Sequence, residues 1–298
     1  MPQIVECVPN ISEGRREDVI EAVVDQVRNV EGVSLLDYAP DEDHNRTVIT
    51  FVGNMDQVKE AVFNLTKKAV ELIDMEEHTG EHPRMGAVDV IPFIPIQGVE
   101  MEECVEASKE VAKKIADELE VPTYLYGEAA TRPERRNLSK IRKGQYEAIK
   151  EEMGVKEHRA PDFGQPKTHP SAGATTVGAR MPLVAYNVNL NTNQKWIADK
   201  IARAVRASGG GFKNVKAMGV MLEERDQVQV SMNLENYIKT PIFRVFETIK
   251  REAARYGVNV VGSEIIGLVP QQALVDVAEW YLRVEDFDSN QVLENRLK

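Results

Sequence analysis

Apolar positions along this chain alternate between two periods. Residues 4–9 form a short apolar run that ends at a Pro-Asn turn. Val19, Ile20, Val23, Val24 and Val27 then recur at the spacing of a helix face. The hydroxyl of Ser12 is expected to cap that helix by accepting an otherwise orphaned amide hydrogen. Gly32 interrupts the period, and residues 33–38 and 47–52 resume as strands, the second rich in β-branched side chains. Val58, Ala61, Val62, Leu65, Ala69 and Leu72 line one side of a further helix, and residues 88–96 form the next strand. The order is β-α-β-β-α-β.

The second half repeats that order without residue-level identity. A strand at 183–190 precedes a helix at 196–207, stopped by Gly209-Gly210-Gly211. A hairpin of 215–222 and 228–234 follows, then a helix at 243–256 and a strand at 258–268. Between the halves lie a helix at 105–119, a strand at 123–126 and a polar segment at 158–176, which is either a linker or a functional loop. This predicts an α+β protein of two ferredoxin-like βαββαβ subdomains, residues 1–181 and 182–298, each an antiparallel sheet with helices on one face. A short helix is expected in the polar tail after Val284.

The 298 residues are 42% hydrophobic, enough for a core in each half, and the net charge of −11 repels a phosphate backbone. Nucleic acid is therefore not an expected partner. The start of the chain has no cationic leader, and no run approaches about 18 apolar residues, so neither export nor a membrane span is expected. The expected location is the cytoplasm, with Cys7 and Cys104 as reduced thiols.

Five histidines carry the candidate acid–base chemistry, and His82 stands out. It lies in His78-Thr79-Gly80-Glu81-His82-Pro83-Arg84-Met85-Gly86, just before the 88–96 strand. Gly80, Pro83 and Gly86 forbid a regular helix, so the segment is a shaped loop. A histidine there titrates near neutral pH with little tuning; the alternative is a loop anchor bonded to backbone. The His78–His82 spacing does not make a zinc site, because Gly80 breaks the helical face and Glu81 falls outside the HExxH order. No metal is expected.

Residues 161–180 are the second candidate. Their small side chains permit close approach of a planar ligand, and Lys167 and Arg180 can pair with carboxylates. A plain interdomain linker remains the alternative. The phosphate-binding order GxxxxGK[ST] is absent, and Ser208-Gly209-Gly210-Gly211 follows a helix rather than a strand.

Several strings carry a family resemblance. Val8-Pro9-Asn10-Ile11-Ser12-Glu13-Gly14, Asn45-Arg46-Thr47-Val48 and Gly80-Glu81-His82-Pro83-Arg84-Met85-Gly86-Ala87 resemble glutamate formiminotransferases. So do Pro161-Asp162-Phe163-Gly164 and Gly173-Ala174-Thr175-Thr176-Val177-Gly178-Ala179-Arg180, in the same order along the chain. The resemblance implies a tetrahydrofolate-binding tunnel between the subdomains, usually a homodimer, and His82 as the catalytic histidine. It matches Phe163, Gly164, Gln165, Pro166, Lys167, Thr168, His169, Pro170, Ser171 and Ala172 to the folate-binding segment.

The implied reaction moves the formimino group of N-formimino-L-glutamate to N5 of tetrahydrofolate, the co-substrate, without a metal. A single histidine can serve as base and then acid. Asp37 and Asp89 are the candidate carboxylates to orient it, and Arg46, Arg84 and Arg180 are assigned to substrate or folate carboxylates. An N-formylglutamate-dependent transferase and a non-catalytic folate-binding module are the alternatives. Because the two units use the chain to about Leu268, the expected product is 5-formiminotetrahydrofolate, with ring closure left to a separate cyclodeaminase.

Overall fold

The computed structural model describes residues 3–296, and the chain divides into two units between Arg180 and Met181. Both are mixed α and β. No described helix is long and apolar enough to cross a membrane.

In the first unit the initial strand is split in two, β1 (Ile4–Cys7) and β2 (Asn10–Ile11). Pro9 between them has no amide hydrogen to give a ladder. After α1 (Glu17–Arg28) come β3 (Ser34–Asp41), β4 (Arg46–Gly53), α2 (Met55–Leu72) and β5 (Val88–Gln97). Both pieces of the first strand pair antiparallel with β4 and β5, and β3 pairs with the outer side of β4. The apolar faces of α1 and α2 supply Val23, Val24, Val27, Val58, Val62 and Leu65 to the core against Phe51 and Phe93, all fully buried.

The sheet does not stop at β5. After α3 (Met101–Leu119) comes β6 (Thr123–Gly127), then the short helices α4 (Leu138–Ile141) and α5 (Gln145–Glu152), and finally β7 (Thr175–Ala179). β7 pairs parallel with both β5 and β6, making seven described strands in a mixed sheet. This corrects two sequence expectations. The first unit is larger than βαββαβ, and the end of the 161–180 segment, expected as a functional loop or a linker, is a buried interior strand. Its residues Thr175, Thr176, Val177, Gly178 and Ala179 lack a long apolar run because they are small, which lets α3 pack over the parallel strands.

Ser12 also departs from expectation. Its hydroxyl donates to the Gly86 carbonyl at 2.8 Å instead of capping α1. Among the described residues no side chain caps α1 at its N-terminus; the Glu13 carboxylate instead ties down the preceding turn, its Oε1 accepting from the Arg15 and Arg16 amides at 2.9 Å each.

The second unit runs β8 (Val184–Leu190), α6 (Lys195–Val205), β9 (Val215–Leu222), β10 (Gln227–Leu234), α7 (Ile242–Ala254) and β11 (Val260–Ile266). Its four strands lie in the order β11-β8-β10-β9, all antiparallel. Val184, Tyr186, Val188 and Leu190 alternate onto the face covered by α6 and α7. α8 (Gln271–Leu282) was missed, because only Ala273 on it is buried and its sequence shows no apolar stripe. Beyond Val284 the chain forms two 3-10 turns in place of the expected helix.

Candidate active site

The loop before β5 is held by backbone contacts that its glycines make possible. Asn45 has a positive φ of 48°, and each end of its amide is used. Its Oδ1 accepts from the Gly14 amide and its Nδ2 donates to the Thr79 carbonyl, both at 2.9 Å. Gly80 lies against the strand turn so closely that a Cβ there would sit 2.4 Å from the His44 carbonyl oxygen. The His82 amide donates to that same carbonyl at 3.3 Å. At the loop's other end a Cβ on Gly86 would meet the Ala174 and Ala172 carbonyl oxygens at 2.4 and 2.5 Å. The result is a loop fixed at both ends with His82 between them.

Arg84 clamps the middle. Its Nε donates to His78 Nδ1 at 3.2 Å, Nη1 to Gln145 Oε1 and Glu147 Oε2, and Nη2 to Glu147 Oε1 and the His78 carbonyl. A guanidinium has five N–H donors, and all five are spent within the protein. Arg84 therefore ties the loop to α5, with its five donors engaged by His78, Gln145 and Glu147. His78 Nε2 bonds the Asn45 carbonyl at 2.9 Å, so its Nδ1 is the acceptor and the ring is neutral. Burial, with the Arg84 charge, holds its pKa below the ordinary histidine value.

His82 is buried, and its Nε2 lies 3.3 Å from Oδ2 of Asp89 on β5. Asp89 is fully buried. Its Oδ1 accepts the Met85 amide at 2.9 Å, and its Oδ2 is shared with an Nη2 of Arg142. Burial alone would raise the Asp89 pKa, but Arg142 and the His82 hydrogen bond outweigh it and keep the carboxylate ionised. Facing a carboxylate, Nε2 carries the proton, and Nδ1 is left as the lone pair, with no hydrogen-bond partner among the described residues. Burial lowers the His82 pKa; Asp89 opposes that, and Arg142 and Arg46 reinforce it. The neutral ring is a ready base at pH 7.

Of the two carboxylates considered from the sequence, Asp89 is the partner. Asp37 is exposed on β3, opposite Thr50 at the far edge of the sheet. Arg46 begins β4 and is close enough to feel the charges of Arg142, Asp89 and Asp41. Among the described residues its side chain makes a single long hydrogen bond, 3.5 Å from Nη1 to Asn10 Oδ1. Arg142 follows α4 in a stretch where the sequence offered no pattern to single it out.

The 163–172 segment divides into tethered and exposed parts. Phe163 packs against the core and bridges Thr123, whereas Gly164, Gln165, Pro166 and Lys167 are exposed. Thr168 is half-buried, Pro170 is exposed, and His169 closes a turn by accepting the Ser171 and Ala172 amides on Nδ1 at 3.3 and 3.0 Å. The Ser171 and Ala172 carbonyls accept from Met75 and Ala87, joining this turn to the His82 loop. Arg180 follows β7, donating its amide to the Phe93 carbonyl at 3.1 Å, with its side chain near Glu6 and Tyr126. Among the described residues no three His, Cys, Asp or Glu side chains gather as a metal-binding set.

Comparison with known proteins matches residues 4–180 to the formiminotransferase domain, N-terminal subdomain, and residues 185–296 to the formiminotransferase domain. The chain is 57% identical to a glutamate formimidoyltransferase of Streptococcus pyogenes serotype M1, covering 100% of this chain and 99% of that protein. It is 50% identical to a glutamate formimidoyltransferase of Thermoplasma acidophilum over 99% of this chain and 97% of that one. A formimidoyltransferase-cyclodeaminase of Mus musculus is 46% identical over 94% of this chain, which spans 53% of that longer protein.

Proposed function

The chain belongs to the formiminotransferase family, and we propose that it is a glutamate formimidoyltransferase in which His82 carries the protons. It moves the formimino group of N-formimino-L-glutamate to tetrahydrofolate. We read both units as ferredoxin-like, the first extended by β6 and β7, and assign the exposed part of 163–172 to folate.

The single observation that carries the residue assignment is the His82–Asp89 pair. In this reading N5 of tetrahydrofolate attacks the amidine carbon, forming the new C–N bond and a tetrahedral intermediate. The proton leaving N5 passes to Nδ1 of neutral His82. The imidazolium, stabilised by Asp89, then protonates the glutamate nitrogen as its bond to carbon breaks. Glutamate departs as the amine, and His82 returns to its starting form. No net charge or proton is left on the protein.

The test is transfer from N-formiminoglutamate to tetrahydrofolate by the purified protein, with N-formylglutamate run in parallel. His82→Ala should lower kcat by about 10²–10⁴-fold, the usual worth of a positioned acid–base group, while folate affinity persists. A folded, folate-binding His82→Ala protein with normal turnover would remove His82 from the mechanism. Faster transfer from the formyl donor would instead select the formyltransferase reading.

A further inference from the structure

The surroundings of Asp89 are short of negative charge. His82 and Arg142 both bond this one buried carboxylate, and Arg46 lies near enough to feel its charge together with those of Arg142 and Asp41. The Nε atoms of Arg46 and Arg142 are buried and have no hydrogen-bond partner among the described residues. Native proteins rarely leave buried donors unmatched, and where they do, strain, a catalytic role, a water or a bound ion accounts for it. Arg142 spends one Nη2 contact on Asp89, so its other edge is available for a second anion. The Arg46 side chain has, among the described residues, only its long contact to Asn10.

We propose that Arg142, together with Arg46, binds the α-carboxylate of the amino-acid donor beside His82. The proposal rests on the transferase reading and deepens it. Two carboxylate-bearing molecules meet in that reaction, and chemistry separates them. The glutamate tail of folate is separated from N5 by the whole p-aminobenzoyl group, so it cannot lie beside His82 while N5 does. The donor's α-carboxyl carbon is two bonds from the departing nitrogen and three from the amidine carbon. A carboxylate held beside Asp89 therefore brings the leaving nitrogen to the imidazole that must protonate it. Because Arg142 also bonds Asp89 Oδ2, the same guanidinium positions the acid and the group it acts on.

The test compares three donors on the wild type and on Arg142→Gln and Arg142→Lys. These are N-formiminoglutamate, 4-(formimidoylamino)butanoate without the α-carboxylate, and N-formimidoyl-2-aminobutanoate without the γ-carboxylate. The wild type should favour the full donor over the α-truncated one by about 10- to 100-fold in kcat/KM, as charge-assisted hydrogen bonds generally give. In Arg142→Gln that preference should shrink by about tenfold or more, with the γ preference and the folate Kd little changed. Arg142→Lys keeps the charge without the planar fork and should fall between them. An unchanged α preference in a variant with wild-type melting behaviour overturns the proposal, as does loss of the γ preference instead. A wild type that transfers nothing from N-formiminoglutamate would overturn the transferase reading alone. The comparison then passes to equilibrium binding of L-glutamate against 4-aminobutanoate, where Arg142→Gln should erase the wild-type preference for L-glutamate.

Discussion

Replacing Asp89 by asparagine tests the proposed site at its most constrained atom. The carboxylate accepts from three donors at once: the Met85 amide, His82 Nε2 and Arg142. An asparagine can keep its oxygen on the Met85 amide only by turning its NH2 toward two other donors. The imidazole relieves that conflict by moving its proton to Nδ1, the atom that must accept one from N5. The same change of tautomer underlies the roughly 10⁴-fold loss described for asparagine in a serine-protease triad, and a loss of about 10²–10⁴-fold in kcat is expected here. Stability should fall as well. Arg142 loses its counter-charge in a setting where its side chain is only 15% exposed, a change that costs about 2–4 kcal/mol, somewhat below a fully buried pair because some water reaches it. The pH profile separates chemistry from unfolding. Asp89 favours the charged imidazolium, so its removal lowers the His82 pKa further, and the acid limb of kcat moves to lower pH while the plateau drops. Steady-state kinetics from pH 5 to 8, beside urea unfolding, reads both effects. Wild-type kcat at neutral pH in a folded Asp89→Asn protein would refute the tautomer argument.

Two further outcomes follow from the packing and the charges. Gly86→Ala places a methyl 2.4–2.5 Å from two backbone oxygens, so it should destabilise the first unit by about 2–4 kcal/mol, and a variant melting like the wild type would show that the loop can yield. His78, His82 and His169 all have pKa values held below the histidine norm, chiefly by burial. As pH falls below about 6.5, the unfolded chain takes up protons that the folded one resists, and stability declines through that window. The melting temperature should therefore drop between pH 7 and 5.5, and His78→Gln should flatten the drop; an unchanged slope would acquit His78.

Periodicity sufficed for every element that buries one face against a single layer. The helix faces of α1, α2, α6 and α7 and the strands β4, β8 and β10 were legible because burial on one side leaves a repeating apolar mark on the sequence, and β5, buried on both faces, was legible as a near-continuous apolar run. The signal failed where burial has another cause. β7 is interior yet built from Thr, Gly and Ala, since the backbone of a parallel interior strand is covered by its neighbours whatever its side chains. α8 covers little, so it carries no stripe. At the site, His82 was marked by its glycine- and proline-bounded loop, a local feature that the chain alone displays. Its partners were a different matter. Asp37 and Asp89 look alike as strand-end carboxylates, and Arg84 and Arg46 look alike as cations beside motifs; Arg142 carries no mark at all. Sheet order decided between the aspartates by carrying β3 to the far edge, and the convergence of α5 on the loop consumed every donor of Arg84. Hydrogen-bond partners separated by 53 or 61 residues are set by how distant segments pack, and only the folded chain brings them within reach of each other.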